Sequence, residues 1–194
     1  MSKSPNTADH ILASARTLIV AGGYNGFSYA DIADVVGIRK ASIHHHFPAK
    51  ADLVRTLVAD YRRGAEEGLQ ALARAVPAPL AQLRSYVAYW KSCIGDASAP
   101  ICVCAMLAGE LPSLPEEVAL EVRAHFRFLA GWLRDVLARG AADGSIVAGQ
   151  GADVEAQLLM ATVHGAMLSA RAYGDTAMFG AIVDAQLSRL VAPT

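Results

Sequence analysis

The sequence predicts an all-helical protein, and three observations support this fold class. Almost every segment longer than ten residues spaces its apolar side chains three and four positions apart, as helices do, and no segment alternates like a β-strand. Prolines and glycines divide the chain into helix-sized pieces. Apolar residues make up 54% of 194 residues, so a sizeable core can form. We therefore expect a small N-terminal helical domain followed by a larger one.

The N-terminal third is predicted to contain one supporting helix and a pair of short helices. The first helix covers residues 11–22, and the glycine pair at its end allows a left-handed stop. Ser28 followed by Asp31 has the spacing of a capping box, so the second helix begins there. Gly37 permits a tight turn, and a third helix of about two turns ends before the breaker Pro48.

The rest of the chain is predicted to form a larger helical body. Its helices are delimited by prolines, by glycines and by a loop rich in Gly, Ala and Ser. The predicted segments are 49–76, 80–93, 100–111, 115–140 and two final helices after the loop 143–152.

Charge and composition narrow the class of protein. Residues 1–64 hold eight Lys and Arg against five Asp, whereas the remainder is net acidic, which favours a polyanion-facing N-terminal module. The longest weakly polar stretch, residues 99–109, is shorter than the roughly 20 residues of a membrane span. The N-terminus lacks the apolar segment of a signal peptide, and three cysteines are too few for a disulfide framework. We expect a cytoplasmic protein with no membrane partner.

Two short helices joined by a turn at Gly37 have the organisation of a helix-turn-helix. Ala33 is small where the helices approach, while Ile32 and Ile43 can bury their inner faces. The second helix of the pair then offers side chains able to reach bases or phosphates, namely Arg39, Lys40, Ser42, His44 and His45. The alternative is that these residues form only a solvated helix start.

The stretch FSYADIADVVGIRKASIHHHFPAKADLV resembles the TetR family of bacterial repressors. The matching features extend over about 45 residues and are Ser28, the pair Ile32-Ala33, Gly37, Phe47, Lys50 and Leu53. The resemblance implies a helix-turn-helix DNA-binding domain over residues 1–50. It also implies a helical effector-binding and dimerisation domain over residues 51–194.

The resemblance also implies roles for individual residues on double-stranded DNA. Ser28 and Lys50 would contact phosphates. The residues along the groove would be Arg39, Lys40, Ser42 and His45. Two positions depart from the family pattern: His44 stands where Tyr is common, and Ala49 stands where a capping residue is common. Histidine titrates near neutral pH, so we expect pH-dependent affinity.

Neither the histidine run nor the cysteines predict a metal site. Consecutive residues on a helix diverge by about 100°, so His44, His45 and His46 cannot converge on one ion. Cys102 and Cys104 lie two positions apart in a predicted helix, which argues against a shared metal or a disulfide. We expect no metal and no cofactor.

The penultimate helix has the pattern of a packing seam, because apolar or small residues recur from Val154 at spacings of four and three. With the apolar final helix, this predicts a homodimer joined by four helices, as the family resemblance also implies. The predicted interface residues are Leu158, Ala161, Gly165, Leu168, Phe179, Val183 and Leu187. The alternative is that these faces pack only within one subunit.

The central helices are predicted to enclose an effector pocket with few polar anchors, which favours an apolar or aromatic small molecule. The predicted lining is Tyr86, Trp90, Cys93, Cys102, Met106, Phe126, Met160 and His164. The same residues could form plain core. Cys102 follows Pro100 in an expected first helical turn, where a thiolate is stabilised. An electrophile or oxidant sensed through Cys102 is therefore an alternative signal.

Together these features predict a transcriptional regulator, expected to repress, that binds a palindromic operator as a dimer and is released by the effector. One rival is a small thiol enzyme pairing Cys102 or Cys104 with His125 or His164, but no third orienting residue is evident. Another rival is a helical carrier. We expect no enzymatic activity.

Overall fold

The computed structural model describes residues 7–191, and within that range it is helical, as predicted. Residues 1–6, where the predicted DNA-binding domain begins, and residues 192–194 lie outside the described residues. A 3₁₀ turn at Leu111–Ser113 joins the sixth and seventh helices. The α-helices are α1 Thr7–Gly22, α2 Tyr29–Val36, α3 Lys40–His46, α4 Lys50–Ala75, α5 Pro79–Gly95, α6 Val103–Ala108, α7 Glu116–Ala142, α8 Ala152–Tyr173 and α9 Ala177–Leu190.

The chain forms two compact units. The first unit comprises the residues up to Gly64 together with Val103–His125, and the second comprises Ala65–Cys102 together with the residues from Phe126 onward. This division differs from the predicted boundary at residue 50. The first half of α4 belongs to the first unit because its apolar side chains are buried, namely Leu53, Val54, Leu57 and Val58. Helix boundaries do not reveal this, since α4 runs unbroken through both units, and the first segment ends at Gly64 inside the helix.

In the first unit, α1, α2 and α3 pack against one another, and α6 packs against α1. The side chains of Ile11, Ile19, Ile32 and Ile43 are fully buried. Ile11 and Ile19 are eight residues apart on the same face of α1. Ile32 of α2 and Ile43 of α3 show which face of each short helix points into the core. The resulting core fixes how the short helices α2 and α3 are presented.

In the second unit, α8 packs along α9, and α5 also contacts α9. Phe179, Val183 and Leu187 of α9 are buried within this single chain. They were predicted as dimer-interface residues, and the structure places them in the core of the unit instead.

None of the described helices combines the length and apolar character that a bilayer crossing requires.

Candidate nucleic-acid interface and effector region

The turn between α2 and α3 depends on Gly37. This residue adopts a left-handed backbone conformation with φ of 73°, which glycine tolerates without the clash of a side chain. The amides of Gly37 and Ile38 both donate to the carbonyl oxygen of Ala33, at 2.9 and 3.1 Å. These bonds end α2 and turn the chain into α3.

A capping box sets the start of α2. The amide of Ala30 donates to the Ser28 hydroxyl at 3.2 Å, and the Ser28 amide donates to the Asp31 carboxylate at 2.6 Å. The Ser28 hydroxyl also donates to Asp31, and these bonds lower the pKa of the Asp31 carboxyl. A lowered pKa stabilises the folded state at neutral pH, and this contribution is lost as the pH falls through the acidic range. Ser28 therefore has a structural role besides its predicted phosphate contact.

The outer surface of α3 is open to solvent. Ile43 is buried against the other helices, which turns the remaining positions outward. The exposed side chains include every groove residue predicted from the sequence, namely Arg39, Lys40, Ser42, His44 and His45. Arg39 lies in extended backbone just before α3. This arrangement leaves two cations and three hydrogen-bonding side chains on one short, solvent-facing segment.

His44 is positioned by two local contacts. Its ring packs edge-on against Tyr29 with centroids 4.8 Å apart, and its Nδ1 donates to the carbonyl of Pro48 at 3.2 Å. Tyr29 in turn donates its hydroxyl to the carbonyl of Phe47, and burial raises the pKa of Tyr29 to about 12, which keeps this donor protonated. Because Nδ1 donates to the Pro48 carbonyl, Nε2 is the ring nitrogen left for a contact with DNA.

The Lys50 side chain is held by contacts with other residues of the first unit. Its ammonium donates to the carbonyl of Phe27 and lies over the rings of Phe27 and Tyr24, 4.0 and 4.9 Å from their centroids. The side chain is half-buried, and burial lowers the pKa of Lys50. These contacts join the start of α4 to the segment that precedes α2. The predicted phosphate contact of Lys50 stays a prediction, and the structure adds this structural role.

Replacing Lys50 with Met is expected to lower the free energy of unfolding by about 1–2 kcal/mol, because the Phe27 carbonyl loses its donor and the two rings lose their cation. Chemical denaturation followed by circular dichroism measures the change. Lys91→Met is the matched control, since the Lys91 and Asp184 ion pair is partly solvent-exposed and such pairs contribute little. Equal losses in both variants would contradict the role given to Lys50.

Glu110 stabilises the turn that follows α1, and the sequence did not indicate this role. Its carboxylate accepts a hydrogen bond from the amide of Tyr24 at 3.0 Å. It also lies directly against Gly23, where φ is 75° and any side chain would overlap the carboxylate. Glu110 therefore secures the turn after α1, from a position 86 residues away in the chain. No local pattern could have indicated this long-range contact.

Most of the predicted effector residues lie in the second unit. Tyr86, Trp90, Cys102, Met160 and His164 are buried there, while Cys93 and Phe126 are partly exposed. The ring of Tyr86 lies 5.5 Å from that of Trp132, and the ring of Phe126 lies 5.1 Å from that of His164. Met106 belongs to the first unit. The structure therefore forms two aromatic pairs from the predicted pocket residues and their neighbour Trp132.

The cysteines are placed differently from the prediction. Helix α6 begins at Val103, so Cys102 lies outside it, and the angular argument that separated Cys102 from Cys104 does not apply. Both thiols are buried, with Cys102 only 1% exposed. In the first unit, the Cys104 sulfur and a His125 ring nitrogen lie within 4.8 Å of each other. This is one of the cysteine and histidine pairs that the thiol-enzyme alternative named from the sequence.

Comparisons with known proteins agree with the fold. The family described as "Bacterial regulatory proteins, tetR family" matches residues 11–57, and "Tetracyclin repressor-like, C-terminal domain" matches residues 79–185. A TetR-family transcriptional regulator from Agrobacterium tumefaciens is 60% identical, with a TM-score of 0.93 over 95% of this chain and 97% of that one. A TetR regulator from Legionella pneumophila is 25% identical, with a TM-score of 0.87 over 97% of this chain and 100% of that one. The HTH-type transcriptional repressor KstR2 of Mycolicibacterium smegmatis is 27% identical over 144 residues, which are 74% of this chain and 69% of that protein.

Proposed function

This chain belongs to the TetR family of bacterial regulatory proteins and is a DNA-binding transcriptional regulator, not an enzyme; from this premise we propose that it is a repressor released from its operator when a small molecule binds the C-terminal part. The single observation that carries the proposal is the exposed basic segment around α3, held in place by the buried Ile43. We retain residues 1–50 as the DNA-binding part and residues 51–194 as the effector-binding and dimerisation part.

In the proposed complex, α3 enters the major groove of double-stranded DNA. Arg39 and Lys40 reach guanine edges or phosphates, and Ser42 and His45 contribute hydrogen bonds along the groove. Ser28 and Lys50 contact phosphates at the edge of the groove, and His44 adds a further phosphate contact. The exposure of the α3 side chains supports this assignment.

Family members act as dimers, and we propose α8 and α9 as the dimer surface. Leu158 and Leu168 of α8 remain 42% and 51% exposed, and Ala161 and Gly165 between them are also exposed, so the four form one exposed stripe of apolar and small residues. Small residues at these positions would allow two helices to approach closely. On α9, the exposed small side chains Ala181 and Ala185 replace the buried residues that the sequence had indicated.

We propose that the effector binds in the second unit and selects a conformation in which the two α3 helices no longer match their half-sites. The aromatic pairs of this unit support a ring-shaped ligand. Signalling through Cys102 receives no such support. A thiol that is 1% exposed is poorly accessible to oxidants or electrophiles, so we do not adopt it as the effector mechanism.

Selection of bound sites from random duplex DNA tests the proposal. We expect a palindrome whose half-site centres lie about 10 base pairs apart or a multiple of that spacing. Affinity for the selected site should fall steeply with salt, and small ring compounds should lower the bound fraction. Recovery of no common sequence would refute operator binding. An operator complex that no compound of a broad ring-compound panel dissociates would refute the release mechanism alone.

A further inference from the structure

Three buried polar atoms in the second unit have no hydrogen-bond partner among residues 7–191. They are the hydroxyl of Tyr86 on α5, Nε1 of Trp132 on α7 and Nε2 of His164 on α8. Trp90 lies beside the Tyr86 hydroxyl without reaching hydrogen-bond geometry. Buried polar atoms are nearly always paired in native proteins, because an unpaired one loses its hydration without compensation. Three such atoms within one unit therefore require an explanation.

Other buried polar side chains of the same unit do have partners. The Gln82 side chain donates to the carbonyl of Val76 at 2.6 Å and accepts from Arg139 at 2.8 Å. Glu155 accepts from the amide of Gln150 at 3.3 Å. The unpaired atoms are thus not a general feature of the unit. They occur on two of the residues predicted to line the effector pocket and on Trp132, whose ring lies 5.5 Å from that of Tyr86.

The residues with unpaired atoms lie at two positions along α7, each marked by an aromatic side chain of that helix. Tyr86 packs against Trp132 of this helix, whereas His164 packs against Phe126, with ring centroids 5.1 Å apart. Six residues separate Phe126 from Trp132, which corresponds to about 9 Å along a helix axis. The two side chains also differ in direction by about 120° around the helix, so a ligand that reaches both positions spans at least this axial distance, which is roughly the length of a two-ring molecule. The aromatic side chains at both positions offer flat surfaces for stacking.

The charged side chains of the second unit indicate whether its ligand is charged or neutral. No Lys or Arg is buried among the described residues, and the cations of this unit lie at its surface. An anionic ligand would consequently remain unpaired in the interior, at high cost. The buried carboxylate of Glu155 lies nine residues before His164, about 13.5 Å away along α8, and it already has a partner. An uncharged ligand therefore fits better than an ionic one.

We propose that Tyr86, Trp132 and His164 are the polar anchors of the effector site, and that the effector is an uncharged ring compound with hydrogen-bonding oxygens near both ends. Phenols and aromatic ketones belong to this class. The inference rests on the proposed function and narrows the sequence-based expectation of an apolar or aromatic effector. Trp132 donates to one ligand oxygen, while the Tyr86 hydroxyl and the His164 ring donate or accept.

The stability of Tyr86→Phe provides the first test. If the hydroxyl is unpaired in the ligand-free protein, its removal relieves an unfavourable burial, and we expect the Tm to stay constant or to rise by roughly 1–3 °C. Tyr89→Phe is the matched control, because Tyr89 is exposed on the same helix. A clear drop in Tm for Tyr86→Phe alone would mean that the hydroxyl is satisfied by water or by the protein, which would overturn the proposal.

The second test compares two ligands of similar shape by equilibrium dialysis with the full-length protein. The probes are 6-acetyl-2-naphthol, which carries oxygens at both ends, and 2-ethylnaphthalene, which carries none. We expect the wild type to bind the naphthol at least about tenfold more tightly. Tyr86→Phe should lose most of this preference while retaining its affinity for the hydrocarbon. Equal affinities in the wild type, no binding of the naphthol, or an unchanged preference in the variant would each overturn the proposal.

Operator release, measured in parallel, separates this inference from the proposed function. If the naphthol binds with the expected preference but does not dissociate the operator complex, the polar anchors stand and the release mechanism fails. If the naphthol does not bind while another compound releases the operator, the release mechanism stands and the assigned ligand class fails.

Discussion

A protein in which both Leu158 and Leu168 are replaced by Asp is expected to be monomeric. A symmetric interface carries each side chain twice, so four leucines leave the interface and four carboxylates enter it. Each leucine is about half exposed in the single chain, and burying the remainder contributes about 1 kcal/mol. The loss of four such contributions, together with the cost of burying carboxylates, should raise the Kd of the dimer about a thousandfold or more.

Sedimentation equilibrium at micromolar concentration measures this change directly. Leu120→Asp is the matched control, because Leu120 is 50% exposed but lies on the part of α7 that belongs to the first unit, whereas α8 and α9 belong to the second. The control should remain dimeric. If the double variant also remains dimeric with unchanged circular dichroism, α8 is not the interface. If both proteins dissociate, the effect of added negative charge is general and the assignment of α8 is equally contradicted.

The local features of the DNA-binding part could be predicted from the sequence because short-range chemistry determines them. The capping box of Ser28 and Asp31 spans three residues, and the turn at Gly37 needs only a residue that tolerates positive φ. Both lie where the sequence indicated. The exposure of Arg39 and Lys40 follows from the position of the buried Ile43 in a helix of seven residues.

Long-range packing accounts for the features that could not be predicted. Phe179, Val183 and Leu187 share one face of α9, and their spacing indicates that this face is buried, but spacing does not identify the partner that covers it. The division of the chain between Cys102 and Val103 likewise depends on packing between distant helices. The contact between Glu110 and Tyr24 has no local signature for the same reason. Sequence periodicity therefore located the buried faces but not their partners.

Replacing both Arg39 and Lys40 with Ala is expected to reduce operator affinity about 100-fold or more without lowering the stability of the protein. The dimer loses four cations. A well-formed contact between one such side chain and a base edge contributes about 1–3 kcal/mol. Stability should be retained because both side chains are exposed and Arg39 makes no side-chain cap to α3. Fluorescence anisotropy with the selected operator and with an unrelated duplex measures the two affinities.

The ratio of these two affinities decides which contacts the cations make. If Arg39 and Lys40 read bases, the substitutions should weaken operator binding far more than binding to unrelated DNA, and the ratio should approach one. If they contact phosphates, both affinities should fall together and their salt dependence should become shallower. Arg84→Ala, which removes an exposed arginine from α5, should leave both values unchanged. Full operator affinity in the double variant would remove α3 from the interface, because no other predicted groove residue carries a fixed positive charge.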